Sequence, residues 1–338
     1  MREFDERTRV DREADLMARL ASLRAAGADL DAEALEREVL AAVPFPPKIQ
    51  IQTTTRCNAA CGMCPYPVVT GEAGFAHEEM SLARYEAILA QLAGRPVERL
   101  SLFLMNEPLV DKRLPDWVGR ARAALPEATL GLFTNGSALT GSVARRLAAA
   151  GLGELSVSVH GFDHETYETV MAGLSFARLE RNLREVFELR AAGDLGALRI
   201  QLVTGDVPDI RASLDRAPST LREHALLKAF SNERALVGAD MPVPSSLKRP
   251  RAAALPPLCH RPFVKLYVLA SGQCVLCNCD WRRTVVLGRV GERPGDATIE
   301  AVWQGAGYRD VRHQLFTGRH ARGLLCTGCD YAEVVGDD

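Results

Sequence analysis

The chain lacks a long apolar run, a strong charge imbalance and a secretory signal, and each absence narrows the possible functions. None of its apolar runs approaches the roughly 20 residues that a membrane-spanning helix needs. The formal net charge is −2, so the charge balance indicates neither nucleic acid nor an acidic membrane surface as a partner. The N-terminal segment is too rich in charge for a signal peptide. We therefore expect a cytoplasmic protein.

Cysteine is missing from a long central stretch, residues 65–258, although the chain has nine cysteines in all. Three lie between residues 57 and 64, and the other six follow residue 258. A reducing cytosol disfavours structural disulfides, and cysteines that serve only as small core residues should be scattered. The grouping therefore indicates metal binding.

Short apolar segments alternate with amphipathic segments through the middle of the chain. Repeated strand–helix units predict a parallel sheet with right-handed crossovers. About six units favour a partial (β/α)6 TIM-like barrel, with an open doubly wound sheet as the alternative. The predicted strands span residues 48–54, 99–105, 128–134, 154–160, 198–204 and 225–230.

Proline-rich stretches divide the chain into three predicted parts. Residues 1–46 are charged and rich in alanine and leucine, which is typical of a short helical segment. Residues 47–240 carry the barrel units. Residues 241–338 begin with a linker-like stretch, after which two β-rich runs around a Ser-Gly pair predict a hairpin and residues 298–318 predict helix.

The first cysteine group is Cys57, Cys61 and Cys64, in a loop that follows the first predicted strand. Loops after the strands carry the chemistry of α/β barrels. Three thiolates can bind three irons of a 4Fe-4S cubane and leave the fourth iron open for a substrate or cofactor. Zinc is the alternative, although zinc sites usually pair two CxxC units or combine Cys with His.

The CxxxCxxC spacing after the first strand resembles the signature of the radical S-adenosylmethionine (SAM) superfamily. This resemblance implies that SAM binds the open iron through its amino and carboxylate groups. Reductive cleavage of SAM would then give methionine and a 5′-deoxyadenosyl radical. Met63 stands where the family commonly has an aromatic residue near the adenine, and a thioether can also contact a ring.

The ends of the next three predicted strands also resemble the family. Asn106 and Glu107 stand in a motif like Gly-Gly-Glu-Pro, which serves the SAM amino group, with Asn where Gly is usual. Asn135 ends the third strand, and Ser158 ends the fourth, where a serine often reaches SAM. Taken singly, such residues are more often solvated loop residues. His160 is a candidate catalytic residue facing the cavity, or else a packed histidine.

The second cysteine group contains four predicted ligands, Cys259, Cys277, Cys326 and Cys329. Four thiolates complete a 4Fe-4S cluster without an open iron, whereas the terminal CxxC could instead be half of a zinc site. The segment resembles the SPASM/twitch auxiliary-cluster extension of radical SAM enzymes, and residues 167–173 upstream resemble that subfamily too. Four ligands favour the one-cluster twitch form.

Three further residues are candidates for catalysis. Cys274 and Cys279 lie outside the predicted ligand set. Each could be a core thiol, an alternative ligand or a hydrogen-atom donor, because epimerases of the superfamily quench the substrate radical with a thiol. Cys279 is the preferred donor. Arg234 belongs to a segment that also resembles the subfamily. An arginine, a histidine or a tyrosine could remove a hydroxyl proton, and we name Arg234 and His160 as candidates.

The resemblance implies hydrogen-atom abstraction from a small polar substrate. Only about 45 residues precede the predicted barrel, too few for a leader-peptide-binding domain and a linker. We expect a sugar, aminocyclitol or nucleoside intermediate of natural-product biosynthesis, changed by dehydrogenation, epimerisation or decarboxylation. A flavodoxin or ferredoxin would supply electrons. The alternatives are peptide modification with a separate leader-binding partner and a non-catalytic iron–sulfur or zinc scaffold.

Overall fold

A single sheet runs through the computed structural model, which describes residues 12–205, 210–228, 258–319, 324–327 and 329. Within these residues the strand order is 6-5-4-3-2-1-7-8-9. The strands are β1 (Lys48–Ile51), β2 (Arg99–Ser101), β3 (Thr129–Thr134), β4 (Glu154–Ser158), β5 (Arg199–Gly205), β6 (Ala225–Lys228), β7 (Lys265–Val268), β8 (Gln273–Val275) and β9 (Val286–Arg289).

Strands β1 to β6 lie side by side in chain order, and every neighbouring pair among them is parallel. Each of the six predicted strand segments overlaps one of these strands. Between the described strands the sheet stays open, with β6 and β9 at its edges. The partial (β/α)6 TIM-like barrel is confirmed, and so is the hairpin, because β7 and β8 pair antiparallel.

Helices follow most of the strands, and many begin at a side chain that caps the first turn. The side chains of Asp31, Ser81 and Thr140 each accept a hydrogen bond from a backbone N–H of the helix that they precede. The helices are α1 (Arg12–Ala25), α2 (Ala32–Ala42), α3 (Tyr66–Thr70), α4 (Leu82–Leu92), α5 (Leu114–Ala124), α6 (Gly141–Ala149), α7 (His164–Val170), α8 (Phe176–Ala191), α9 (Ile210–Arg216), α10 (Ser219–Arg222), α11 (Arg261–Val264), α12 (Ile299–Trp303) and α13 (Ala306–Thr317).

The C-terminal extension continues the barrel sheet, which the sequence did not predict. Strand β7 pairs parallel to β1, with Ile49 opposite Leu266 and Ile51 opposite Val268. All four side chains are buried. Because β8 and β9 add to β7 antiparallel, the extension lies directly beside the first barrel strand and the cysteine loop that follows it.

The N-terminal helices are held against the extension by a buried ion pair between Glu36 of α2 and Arg312 of α13. The guanidinium also lies over the rings of Trp303 and Tyr308, at 4.2 and 4.8 Å from their centroids. Removing one partner would leave an uncompensated buried charge, which costs about 3–5 kcal/mol.

No helix in the described ranges is both long and apolar enough to cross a membrane.

Candidate active site

The first cysteine group lies in the loop between β1 and α3, at the carboxyl end of the parallel strands. The backbone N–H of Cys57 donates to the hydroxyl of Tyr66, with the N and O atoms 2.8 Å apart. The N–H of Cys64 donates to the carbonyl of Cys61 at 3.1 Å. Pro65 begins the short helix α3 and so brings Tyr66 back under the loop. These contacts shape a loop that presents three half-buried thiols together.

The same loop rests on the C-terminal end of α7. Ala60 N–H donates to the carbonyl of Ala172 at 2.8 Å, and Gly62 N–H donates to that of Val170 at 3.2 Å. The loop is therefore tied to the segment that follows β4, through residues that the CxxxCxxC spacing does not identify.

Burial makes the thiols of Cys57 and Cys61 poor acids in the absence of a cation. It raises the pKa of Cys57 to about 11 and that of Cys61 to about 12, and the nearby Glu107 carboxylate adds to both shifts. Thiols with such pKa values ionise at neutral pH only against bound positive charge, and metal binding releases their protons. The donor set thus fits an iron–sulfur cluster.

Glu107 is buried and joins the ends of two neighbouring strands. Its carboxylate accepts hydrogen bonds from the hydroxyl of Thr134 (2.6 Å), the N–H of Asn135 (2.7 Å) and the N–H of Leu109 (3.0 Å). Burial raises its pKa to about 6, and these hydrogen bonds oppose that shift. The predicted contact of Glu107 with SAM stays a prediction, since the observed bonds fix the ends of β2 and β3.

A side-chain network missed by the sequence reasoning connects the cysteine loop to the end of β3. The amide of Asn135 donates to Asn58 at 2.9 Å, and that of Asn58 donates to the Ser137 hydroxyl at 2.8 Å. Ser137 in turn donates to Asn135 at 2.7 Å. Only the position of Asn58 inside the cysteine motif could have drawn attention to it.

Asn106 presents a donor that the described residues leave unused. Its carbonyl oxygen accepts from the N–H of Leu104 at 2.9 Å, whereas its Nδ2 is buried without a hydrogen-bond partner among them. Buried donors in native proteins are normally satisfied. An orphaned amide beside Glu107 therefore fits a ligand with acceptor oxygens, such as the carboxylate of SAM.

Ser158 and Met63 are the remaining predicted SAM contacts. Ser158 is half-buried at the end of β4, and its hydroxyl makes no hydrogen bond to another described residue. Met63 is half-buried and packs against the edge of the hydrophobic core. Their contacts with SAM stay predictions.

His160 is a buried histidine with one nitrogen already engaged. Its Nδ1 accepts a hydrogen bond from the N–H of Gly205 at 3.0 Å, and burial lowers its pKa to about 4. The ring is therefore neutral near pH 7 with its proton on Nε2. This arrangement gives no ready proton acceptor, so a role as base stays a prediction without support. Arg234, the other candidate base, lies outside the described residues.

The second cysteine group collects thiols from separate segments of the extension. A hydrogen bond with Cys279 and burial raise the pKa of Cys277 well above its ordinary value, and the charge of Cys326 acts in the same direction. Burial also raises the pKa of Cys259, and the charge of Cys279 acts in the same direction. Cys329 N–H donates to the carbonyl of Cys326 at 3.2 Å, which closes the terminal CxxC turn.

Arg261 supplies positive charge to this group. Its Nη1 donates to the sulfur of Cys279 at 3.2 Å, and its charge lowers the pKa of both Cys259 and Cys277 against the larger opposing effects. Cys279 therefore lies among the predicted auxiliary ligands.

Cys274 lies elsewhere. It is fully buried in β8 within the main hydrophobic core, and burial raises its pKa to about 12. These surroundings are those of a core thiol.

Nowhere in the described parts of the chain do three His, Cys, Asp or Glu side chains converge on a position for a single metal ion. A cubane binds each thiolate at a different iron, so its ligands need not meet at one point.

The partial barrel and the two cysteine groups define an iron–sulfur enzyme. Two family models match the chain: the Radical SAM superfamily over residues 51–207 and the iron–sulfur cluster-binding domain SPASM over residues 259–330. The chain belongs to the radical SAM superfamily and carries a SPASM-type extension. Its cofactors are SAM, the 4Fe-4S cluster of the barrel and an auxiliary iron–sulfur cluster.

Two kinds of curated relatives are similar to the chain. The S-adenosyl-L-methionine-dependent 2-deoxy-scyllo-inosamine dehydrogenase of Niallia circulans is 23% identical over 292 residues, which cover 86% of this chain and 95% of that enzyme. The PqqA peptide cyclase of Xanthomonas campestris pv. campestris (strain B100) is 33% identical over 130 residues, 37% of this chain and 31% of the cyclase.

Solved structures share the fold. BtrN in complex with AdoMet and 2-DOIA superposes with a TM-score of 0.56 at 20% identity, covering 86% of this chain and 99% of BtrN. Streptococcus suis SuiB bound to precursor peptide SuiA gives a TM-score of 0.59 at 12% identity, covering 95% of this chain and 82% of SuiB. At these identities the likeness supports the fold alone.

Proposed function

We propose that this radical SAM enzyme is a dehydrogenase that oxidises a secondary alcohol of an aminocyclitol or related aminosugar to a ketone. The observation that carries the proposal is the end-to-end match to the Niallia circulans dehydrogenase, which covers 95% of that enzyme. The peptide cyclases match only about a third of either chain.

The residues at the carboxyl ends of the strands have distinct tasks in this proposal. Cys57, Cys61 and Cys64 would hold the first cluster, and SAM bound there would supply, on one-electron reduction, the 5′-deoxyadenosyl radical. Asn106 directs its unused Nδ2 toward the SAM carboxylate, since that amide has no partner among the described residues. Glu107 keeps the ends of β2 and β3 together through its bonds to Thr134 and Asn135.

The proposed oxidation must dispose of one hydrogen atom, one proton and one electron. The carbon-bound hydrogen atom would end in 5′-deoxyadenosine, the hydroxyl proton would pass to a base, and the remaining electron would need an acceptor. Cys259, Cys277, Cys326 and Cys329 would hold an auxiliary cluster suited to accept it, because four thiolates close the cluster to other ligands. Arg234 stays a candidate for the base.

The enzyme also needs an external low-potential electron donor. We propose a flavodoxin or ferredoxin in the cytoplasm, because the electron that reduces the first cluster cannot come from the substrate.

Product analysis tests the proposed reaction. The anaerobically reconstituted enzyme is incubated with SAM, reductant and 2-deoxy-scyllo-inosamine that carries deuterium at every carbon bearing a hydroxyl group. We expect a ketone product and deuterium in 5′-deoxyadenosine, both detected by mass spectrometry. Formation of 5′-deoxyadenosine without deuterium, and without a ketone from any cyclitol or aminosugar offered, would refute the proposed substrate class.

Two other results would point to a different reaction. The 33% identity to the peptide cyclases favours peptide modification as the second candidate. Turnover of a leader-bearing peptide together with a separate leader-binding protein, and none of cyclitols, would select it. An epimerised or decarboxylated product instead of a ketone would show that the auxiliary cluster accepts no electron.

A further inference from the structure

The inner face of the sheet, which is the face opposite helix α8, carries polar side chains on β4 and β5. A Cβ atom added at Gly136 would lie 2.6 Å from Leu179 of α8 and 2.8 Å from Val157 of β4, so Val157 points toward the helices. Successive side chains of a strand point to opposite faces. Ser156 therefore points to the inner face, and so does Gln201 of β5, which is its partner in register.

Ser156 and Gln201 use only part of their hydrogen-bonding capacity. The Nε2 atom of Gln201 donates to the Ser156 hydroxyl at 2.8 Å, and neither side chain makes another hydrogen bond to a described residue. Ser156 is 2% exposed, whereas Gln201 is half-buried. An amide has one acceptor oxygen and two N–H donors, and a hydroxyl can accept and donate together. The pair therefore leaves one acceptor and two donors for a ligand on this face.

Two aromatic rings adjoin this polar pair. Phe133 of β3 lies opposite Ser156 in register, so its side chain is on the inner face as well. Its ring centroid is 5.0 Å from that of Phe103, and both residues are half-buried. The inner face thus places an apolar ring surface beside amide and hydroxyl groups. Ligand sites commonly combine an aromatic lining with a few polar groups in this way.

Ion pairs occupy the start of the inner face. Glu154, on the same face at the start of β4, pairs with both Arg99 and Arg199, and its side chain is 3% exposed. At the other end of the strands, Thr134 donates to Glu107 among the predicted SAM contacts. Along the strand direction, the unused polar groups and the rings therefore lie between these ion pairs and the first cysteine site.

We propose that the inner face binds the ring of the polyhydroxylated substrate. Phe133 would pack against the ring carbons, and Gln201 and Ser156 would hydrogen-bond to hydroxyl or amino groups at the ring edge. The proposal rests on the substrate class proposed above and assigns part of its recognition to these residues. Gln201 would select among cyclitols, because a site built to hydrogen-bond a hydroxyl group rejects an analogue that lacks it.

Equilibrium binding tests this assignment directly. The reconstituted enzyme with both clusters and SAM, but without reductant, is titrated with 2-deoxy-scyllo-inosamine in a calorimeter. We expect the wild type to bind, and Gln201→Leu to bind about tenfold more weakly, because the variant loses hydrogen bonds to the ligand. Equal affinities of the two proteins would overturn the proposal, and so would a wild-type enzyme that binds no cyclitol.

Single-deoxy analogues of the cyclitol separate a direct contact from a structural effect. The analogue that lacks the hydroxyl group contacted by Gln201 should bind the wild type about tenfold more weakly than the parent compound. Gln201→Leu should bind that analogue and the parent alike. A variant that loses the same factor of affinity for the parent and for every analogue would overturn the proposal.

Gln91→Leu is the matched control. Gln91 is also half-buried, and its Oε1 accepts from the N–H of Ile299 at 2.7 Å, between α4 and α12. This variant should bind the cyclitol as the wild type does. A loss of affinity equal to that of Gln201→Leu would show a general effect of removing an amide and would overturn the assignment.

The ribose of SAM also offers hydroxyl groups, so the dissociation constant of SAM is measured on the same preparations. A larger loss of affinity for SAM than for the cyclitol in Gln201→Leu would assign these groups to the ribose and overturn the proposal. Ketone formation is a separate measurement. Cyclitol binding that depends on Gln201 but yields no ketone would refute the proposed reaction and support the binding face. Ketone formation with equal affinities in both proteins would refute the binding face alone.

Discussion

The two cysteine groups differ in how the chain assembles them and in the charge around them. The first comes from one short loop, backed by α7 and by the Asn58 network, and the acidic Glu107 raises the pKa of its thiols Cys57 and Cys61. The second draws on separate segments of the extension and places the cation Arg261 beside them. A cluster with four thiolates carries one more negative charge than a cluster with three.

The larger negative charge of a four-thiolate cluster explains why Arg261 lies beside the second cysteine group. Buried charge is costly unless it is paired, so a fully ligated cluster needs a cation nearby. The first cluster would gain its remaining ligands from SAM, whose sulfonium carries a positive charge that offsets its carboxylate. The comparison therefore supports the proposal that the first group binds the cofactor and that the second takes up the electron.

Cys61→Ala should have the largest effect. The variant loses one of three ligands of the first cluster, so SAM cleavage should fall to background while the auxiliary cluster remains. Iron analysis should fall from about eight to about four irons per chain, as expected for the loss of one of two cubanes. Cys274→Ala is the control and should keep both clusters, because Cys274 lies in the core. Retained SAM cleavage in Cys61→Ala would contradict the ligand assignment.

Cys277→Ala should separate radical formation from product formation. The auxiliary cluster should be lost, whereas SAM should still be cleaved at the first site. We expect 5′-deoxyadenosine with little or no ketone, measured in one reaction by mass spectrometry. Ketone formation at the wild-type rate would show that the second group does not accept the electron.

Glu107→Gln should change the pH dependence of stability. The folded-state pKa of Glu107 is raised to about 6 from 4.5, so its contribution to stability is fully present below about pH 4.5 and is lost as the pH rises through 6. The loss amounts to about 2 kcal/mol, from about 1.4 kcal/mol per pKa unit. Thermal midpoints of the cluster-free chain should show this decline in the wild type and not in the variant. Parallel profiles for the two proteins would rule out the carboxyl group as its source.

Arg261→Gln should make the auxiliary cluster harder to reduce, because it removes the cation that offsets the thiolate charge. A change of about tenfold in the reduction equilibrium corresponds to about 59 mV. The potential of the first cluster should not change, which an EPR-monitored redox titration can check in the same sample. Equal shifts at both clusters would remove the distinction between the two groups.

Cys279→Ala should have the smallest effect if the enzyme is a dehydrogenase. Four predicted ligands remain, and the oxidation requires no thiol to return a hydrogen atom. We expect unchanged iron content and near wild-type ketone formation. Loss of one cluster would make Cys279 a ligand, whereas a changed product with both clusters intact would make it a hydrogen-atom donor.

Local patterns in the sequence predicted much of this architecture. The β-rich runs and amphipathic segments located the barrel strands and the hairpin, because strand and helix periodicity are properties of neighbouring residues. The spacing of Cys57, Cys61 and Cys64 located the first site in the same way. The pairing of β7 with β1 was not predictable, because it joins segments more than 200 residues apart.

The residues that support the site also could not be predicted from the sequence. Asn58 and Ser137 matter through contacts made across the fold, and no local spacing marks them. The proximity of Cys279 to Arg261 likewise depends on how α11 meets the hairpin. Local chemistry thus gave the candidate ligands, whereas the side chains around them could be found only in the structure.

The central claim is that the first three thiolates leave one iron open for SAM. Electron–nuclear double resonance on the reduced enzyme with SAM labelled by nitrogen-15 at the amino group tests it most directly. The account predicts a hyperfine coupling between that nitrogen and the cluster, absent in Cys61→Ala. A reduced first cluster that shows no coupling to labelled SAM would contradict the account.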